Sequence, residues 1–340
     1  MQRRGVTVLV GAIIVAVLTA GVMAAPVPYV ILDPGPTVDT LGERDGKPVI
    51  QITGTPTSTS EGQLRLTTVG VEPDVNLLTV IRAWFDDDEA VVPRELIYPP
   101  DRSPEEVEEQ NQRQFTQSQD SAEVAALRHL GYPAKVVVRD VPEGMPAHGK
   151  LRAGDVITSV DGDEVTSVEQ LQDLVTRHPA GTTLKIGYLR GDEPGTVEVT
   201  TAADEQDGRT PRVGVAVAHE MDVPFEINFE IDRIGGPSAG LMFALGIIDL
   251  LEPEDLTGGL VIAGTGTIDD NGTVGPIGGL PQKLIAARDV GATVFLVPAD
   301  NCAEAVAHRP DGLTLVRVET LQDALAGLAA VREGRTPATC

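Results

Sequence analysis

Nucleophilic catalysis needs a hydroxyl or thiol beside a base, and Gly235-Gly236-Pro237-Ser238-Ala239-Gly240 offers a hydroxyl in a suitable place. The segment lies between an apolar-alternating stretch, Phe225 to Ile231, and a strongly apolar run, Leu241 to Leu251, which together read as strand, turn, helix. Pro237 near the first helical position predicts that Ser238 sits at a helix N-terminus. There the backbone N–H groups of Ser238 and Ala239 and the helix dipole would stabilise an oxyanion. Serine at a helix start is also a common cap, so the identity of the base decides. The five histidines, His129, His148, His178, His219 and His308, are scattered with no motif tying any to Ser238. Lysine is the alternative and is scarce: Lys47, Lys135, Lys150, Lys185 and Lys283 are all there are. A lysine base must fall from a pKa near ~10.4 toward roughly 7 to 8. Burial of Lys283 beside Leu280, Leu284 and Ile285, with no obligatory carboxylate partner, is a setting that disfavours the ammonium form.

Gly264-Thr265-Gly266-Thr267-Ile268 then leads through a turn into Val274-Gly275-Pro276-Ile277-Gly278-Gly279-Leu280-Pro281-Gln282-Lys283-Leu284-Ile285-Ala286-Ala287. The Gly-Pro-Ser-Ala-Gly, Thr-Gly-x-Ile and Pro-Ile-Gly-Gly-Leu-x-x-Lys-Leu-x-Ala-Ala motifs, in this order and spacing, resemble the Lon-type peptidase domain. The resemblance runs from about Val213 to about Leu328. It implies Ser238 as nucleophile, Lys283 as general base of a Ser–Lys dyad and Thr265 as the residue that supports the lysine. Some Lon domains carry an acidic residue three positions before the serine; here that position is Gly235, and Asp232 lies further upstream.

The elements that must position these residues follow from the rest of the chain. At 340 residues, 41% apolar with 36 Gly and 25 Pro, it is a folded protein of more than one domain. A net charge of −25 repels phosphate backbones, which makes nucleic acid a poor partner. Arg3 and Arg4 precede an uncharged apolar run from Gly5 to Ala25, long enough to cross a bilayer. The run is longer than a usual signal-peptide core and Val22-Met23-Ala24 is only a passable cleavage site, so an uncleaved anchor is expected, with the chain beyond Pro26 outside the cytoplasm. Tyr29 to Val92 alternates short extended segments with turns, and Ser103 to His129 has a Ser-Pro start and a Glu-rich first turn, as a polar helix would. From Tyr132 to Thr201, the Leu151-Arg152-Ala153-Gly154-Asp155-Val156-Ile157 and Val160-Asp161-Gly162 stretches resemble a bacterial PDZ domain. PDZ domains take a peptide along a sheet edge, which places the expected groove between Ala134–Val138 and the helix near Val168–Val175. Gly131 and Tyr132 would then lie at the carboxylate loop, and Ala134 and Val136 along the peptide.

The expected fold is therefore α+β and multidomain: an N-terminal transmembrane helix over residues 1–27, a small β-rich region over 28–100, a helical connector over 101–130, a PDZ-like domain over 131–202 and a Lon-type proteolytic α/β domain over 210–332. The whole resembles the membrane-anchored PDZ–Lon proteins, the YlbL-like group. That resemblance implies a serine endopeptidase of peptides or unfolded extracytoplasmic proteins, and a ring-like homo-oligomer, trimer or hexamer. No Gly-x4-Gly-Lys-Ser/Thr phosphate loop occurs in the sequence, so activity without ATP is expected. No Cys/His metal motif or cofactor motif occurs either. Cys302 and Cys340 fit one disulfide or two free thiols equally well. Two rivals stand: a membrane-tethered peptide-binding scaffold without catalysis, and a Ser–His–Asp hydrolase using His219 or His308.

Overall fold

The computed structural model of the chain describes residues 2–23, 25–204, 207–231 and 234–340. Asp232 and Ala24, which entered the sequence reading, lie outside them. In chain order the principal elements begin with α1 (Gln2–Met23), β1 (Tyr29–Asp39), β2 (Ile50–Thr53), β3 (Gln63–Glu72), α2 (Leu77–Ala83), β4 (Ala90–Pro93) and α3 (Pro104–His129). Next come β5 (Ala134–Asp140), β6 (Val156–Val160), α4 (Val168–Thr176), β7 (Thr183–Arg190), β8 (Glu193–Thr200), β9 (Ala216–Met221) and β10 (Glu226–Phe229). The last are α5 (Gly240–Leu251), β11 (Val261–Gly264), α6 (Leu280–Asp289), β12 (Val294–Pro298), α7 (Cys302–Ala307), β13 (Thr314–Val318) and α8 (Leu321–Arg332). Two compact units result, one of Met1–Glu123 with Ile227–Cys340 and one of Val124–Glu226.

The first unit is built on a six-stranded sheet of order β13-β12-β11-β3-β1-β4. β11, β12 and β13 are parallel, β3 joins β11 in parallel register, and β1 pairs antiparallel with both β3 and β4. Parallel strands are covered on both faces and so read as continuous apolar runs; Val294-Phe295-Leu296-Val297 on β12 is wholly buried. On α6, Leu280, Leu284 and Ala287 pack with Ala263, Phe295 and Leu315 of the sheet. Phe243 of α5 meets Phe115 of α3 and Phe229 of β10 edge to face, with ring centroids 5.8 and 4.9 Å apart. A disulfide joins Cys302 to Cys340, and the tail it holds adds to the edge of β13, where Arg317 N donates to Ala338 O at 2.9 Å.

This sheet corrects the expectation of a separate β-rich region over 28–100. β1, β3 and β4 complete the same sheet as the C-terminal strands, because a lone β11–β12–β13 set would leave the flank of β11 unpaired. A transmembrane helix is expected over 1–27. It coincides with α1, yet among the described residues no helix is long and apolar enough to cross a membrane.

The second unit is an antiparallel sheet of order β8-β7-β6-β5-β9, with Leu171, Leu174 and Val175 of α4 packed in its core beside Val136, Ile157 and Ile186. Asp155 of the Gly-Asp motif is buried. It accepts both guanidinium bonds of Arg190, at 2.8 and 2.7 Å, and one from Arg152 N at 2.8 Å. Hydrogen bonding from Arg190 holds its carboxyl below the usual range.

Candidate active site

Ser238 stands just outside α5 rather than in its first turn: the helix begins at Gly240 with Ala239 as its cap. Two neighbouring segments clamp the turn that carries it. From α3, Ser118 Oγ donates to Pro237 O at 2.9 Å and Asn111 O accepts from Gly236 N at 2.9 Å. From the other side, Gly266 N donates to Ser238 O at 2.9 Å and Leu241 N to Gly266 O at 3.2 Å. A Cβ on Gly240 would lie 2.8 Å from both Ser118 Oγ and Ile268 Cγ2, so only glycine lets α3 and the Thr265–Ile268 segment close this tightly around the serine. Among the described residues the amides of Ser238 and Ala239 have no hydrogen-bond partner, which leaves them available as oxyanion donors.

Lys283 reaches the serine from the first turn of α6. Its Nζ lies 2.7 Å from Ser238 Oγ and donates to it, and also donates to Thr265 Oγ1 at 2.9 Å. Thr265, fully buried, passes the chain on: its Oγ1 donates to Ser238 O at 3.0 Å. Lys283 is 3% exposed, and burial pushes its pKa down from 10.5 to about 7. Gly279 makes this approach feasible. It caps α6 with φ 68°, and a Cβ there would lie 2.6 Å from Val69 Cγ2. At neutral pH a large share of Lys283 is therefore an amine whose lone pair can take the serine proton across 2.7 Å.

The sequence-predicted residues Ser238, Lys283, Thr265 and Ala239 are thus brought together. The histidines are occupied elsewhere: His219 Nε2 accepts from Val168 N at 3.1 Å, and His308 Nδ1 lies 3.0 Å from Glu304 O. Ser118 and Asn111 were missed, since a serine and an asparagine within a polar helix carry no local signal. Among the described residues no group of three or more His, Cys, Asp or Glu is placed to hold a metal ion.

The groove residues of the second unit need correction. Val136 is fully buried and β5 is paired on both sides, Val136 standing opposite Ile157 of β6 and His219 of β9. An interior strand has no free edge to offer a peptide. Ala134 begins that strand, Gly131 turns the chain out of α3 with φ 80°, and the Tyr132 ring packs on Phe225 with centroids 5.5 Å apart. The edge strand on this side is β9, which follows about eighty residues later in the chain and, among the described residues, pairs only with β5. A cleft of ≈ 530 Å³ lies between it and α4, lined by Met145, Leu171, Val175, Val213, Val215 and Val217 among others.

Residues 107–201 match the PDZ domain family and residues 232–330 the Lon protease (S16) C-terminal proteolytic domain. Lon protease 2 of Bacillus subtilis (strain 168) is 39% identical over 107 residues, 31% of this chain and 18% of that protein. Lon protease 3 of Sorangium cellulosum (strain So ce56) is 31% identical over 204 residues, 57% of this chain and 24% of that protein. The chain therefore aligns with about a quarter or less of the length of these relatives. The solved PDZ domain of an SdrC-like protein from Listeria monocytogenes is 32% identical, covers 24% of this chain and 86% of its own, and superposes with a TM-score of 0.23. The chain carries a PDZ domain and, following it, the proteolytic domain of a Lon-type (S16) serine peptidase.

Proposed function

We propose that this chain is an ATP-independent endopeptidase in which Ser238 and Lys283 form the catalytic dyad, acting on flexible peptides or unfolded proteins outside the cytoplasm. The observation that carries the dyad is the 2.7 Å contact between Ser238 Oγ and a buried Lys283 whose pKa is about 7. Ser238 Oγ attacks the peptide carbonyl carbon while its proton passes to the neutral Nζ of Lys283. The oxyanion forms against the Ser238 and Ala239 amides. Lys283, now an ammonium, returns the proton to the leaving amine nitrogen, which departs and leaves an acyl-Ser238 ester. A water then gives a proton to Lys283 and attacks the ester, and the same proton restores the serine hydroxyl. Thr265 holds the amine on one side and the serine carbonyl on the other, keeping both in line for transfer.

Support for independence from ATP is the lack of a phosphate loop in the sequence. Peptide selection falls to the β9–α4 cleft, where the apolar lining and open strand edge suit an extended chain ending in an apolar residue. The tether is proposed from the sequence, where the apolar run Gly5 to Ala25 follows Arg3 and Arg4, and from the exposure of Leu9, Ile13, Ile14 and Val17 on α1. A full chain that leaves the membrane fraction on alkaline carbonate washing would remove the tether from the proposal.

The function is tested by incubating the full chain with unfolded casein, without ATP, beside Ser238→Ala and Lys283→Ala. Cleavage by the parent and by neither variant is the expected result. Cleavage that survives both substitutions refutes the dyad.

A further inference from the structure

One wall of the Ser238 cleft is the segment Pro276–Gly278, which lines it together with Pro237, Ser238 and Thr267. This segment belongs to no helix or strand, lying between the two-residue ladder at Val274–Gly275 and the start of α6 at Leu280. Pro276 brings no N–H of its own, so the segment depends on outside partners. One side chain supplies them. Asn301 Oδ1 accepts from Ile277 N at 2.9 Å, and its Nδ2 donates to Ile277 O at 3.0 Å and to Glu304 Oε2 at 3.4 Å.

We propose that Asn301 is a positioning residue for peptide cleavage: it holds Ile277, and through it the Pro276–Gly278 wall, at the spacing from Ser238 that seats the substrate chain beside the scissile bond. A side-chain amide carries a donor and an acceptor on adjacent atoms, and here they satisfy both polar groups of one backbone residue at once. Asn301 is itself buried and fixed. It closes the turn after β12 and precedes Cys302, whose disulfide to Cys340 anchors the start of α7. Its hydrogen bonds go to Ile277 and Glu304 and none to Ser238 or Lys283, so its effect falls on seating the substrate and leaves the proton chemistry of the dyad alone.

The inference rests on the reading of Ser238 as nucleophile, and two readouts on the full chain separate the two. The first is the rate at which a small fluorophosphonate labels Ser238, followed against pH. The second is kcat and KM for a fluorogenic peptide spanning a casein site that the parent cuts. Asn301→Ala is expected to lower kcat/KM for the peptide about 10- to 100-fold, the range seen when a substrate is displaced by about an ångström. Fluorophosphonate labelling and its midpoint near pH 7 stay as in the parent. Asn301→Asp, which keeps the acceptor for Ile277 N and loses the donor to Ile277 O, is expected to fall between, and it carries the test if the alanine variant does not fold. Parent-like peptide cleavage by both variants overturns the inference, as does a labelling rate that falls in step with cleavage or a midpoint that moves. A parent that is not labelled at Ser238 refutes the dyad and the inference with it.

Discussion

Lys283→Met keeps a flexible side chain of similar length among Leu280, Leu284 and Thr265 while deleting the amine, and the stability of the two proteins should then diverge with pH in a calculable way. Unfolded, the amine titrates near 10.5; folded, near 7. Between those values the unfolded chain binds a proton that the folded chain does not, so the parent's stability rises with pH across the window from 7 to 10.5. Below pH 7 both states carry the proton and the whole cost of a buried ammonium is present. A difference of about 3.5 pH units at ~1.36 kcal/mol each makes that cost about 5 kcal/mol, of which about 2 remain at pH 9. Relative to the Met variant, the parent should gain close to ~3 kcal/mol between pH 6 and pH 9, with the variant the more stable at the acid end. Urea unfolding of both full chains followed by circular dichroism at pH 6, 7, 8 and 9 measures this, since groups common to both cancel in the difference. Casein cleavage by the parent should rise about tenfold per pH unit below 7 and level off above it, as the neutral amine becomes the dominant form. A stability difference that stays flat from pH 6 to 9, or an activity midpoint near 10, would refute a desolvated lysine base.

Thr265→Val removes one hydroxyl that serves both Lys283 Nζ and Ser238 O; unsatisfied buried groups cost about 1 to 3 kcal/mol, so kcat for a casein peptide should fall roughly 5- to 150-fold with little change in KM. Cys340→Ser opens a loop of sequence separation 38 and should cost about 4 kcal/mol of stability, read as a lower midpoint of thermal unfolding that dithiothreitol reproduces in the parent. In the PDZ domain, Val215→Asp should weaken binding of a peptide with an apolar C-terminal residue at least about tenfold by placing a charge in the apolar cleft, while Ala134→Ser leaves it unchanged. Fluorescence polarisation with a labelled peptide checks this, and the reverse pattern would return the groove to β5.

Much of the chemistry was legible along the chain because its requirements are local. A serine in a Gly-Pro-Ser-Ala-Gly turn, a lysine flanked by Leu280, Leu284 and Ile285, and a threonine between two glycines each carry their surroundings with them in the sequence. The elements were legible for the same reason. The polar helix expected over 101–130 is α3, and the apolar run from Leu241 to Leu251 is α5. What failed was every inference that required knowing which strand lies beside which. Ile31, Leu64 and Leu66 read as part of a small β unit, yet they lie in the sheet that supports Lys283, because β3 pairs with β11 almost two hundred residues later. Val136 read as the peptide-binding strand because it follows the expected loop; β9 occupies that edge instead.

Short-range pattern along the chain is enough to show which residue types stand ready for a serine–lysine mechanism. The lowered pKa of Lys283, which suits it to the proposed role of base, comes from the tertiary structure. The amine loses charge affinity because α6, β3 and the Thr265 segment together exclude water around it, and no run of neighbouring residues encodes that exclusion. The braces at Ser118 and Asn301 belong to the same class. Their hydrogen bonds span 119 and 24 residues of chain, and a contact that long arises from the packing of whole elements, which a linear reading has no term for.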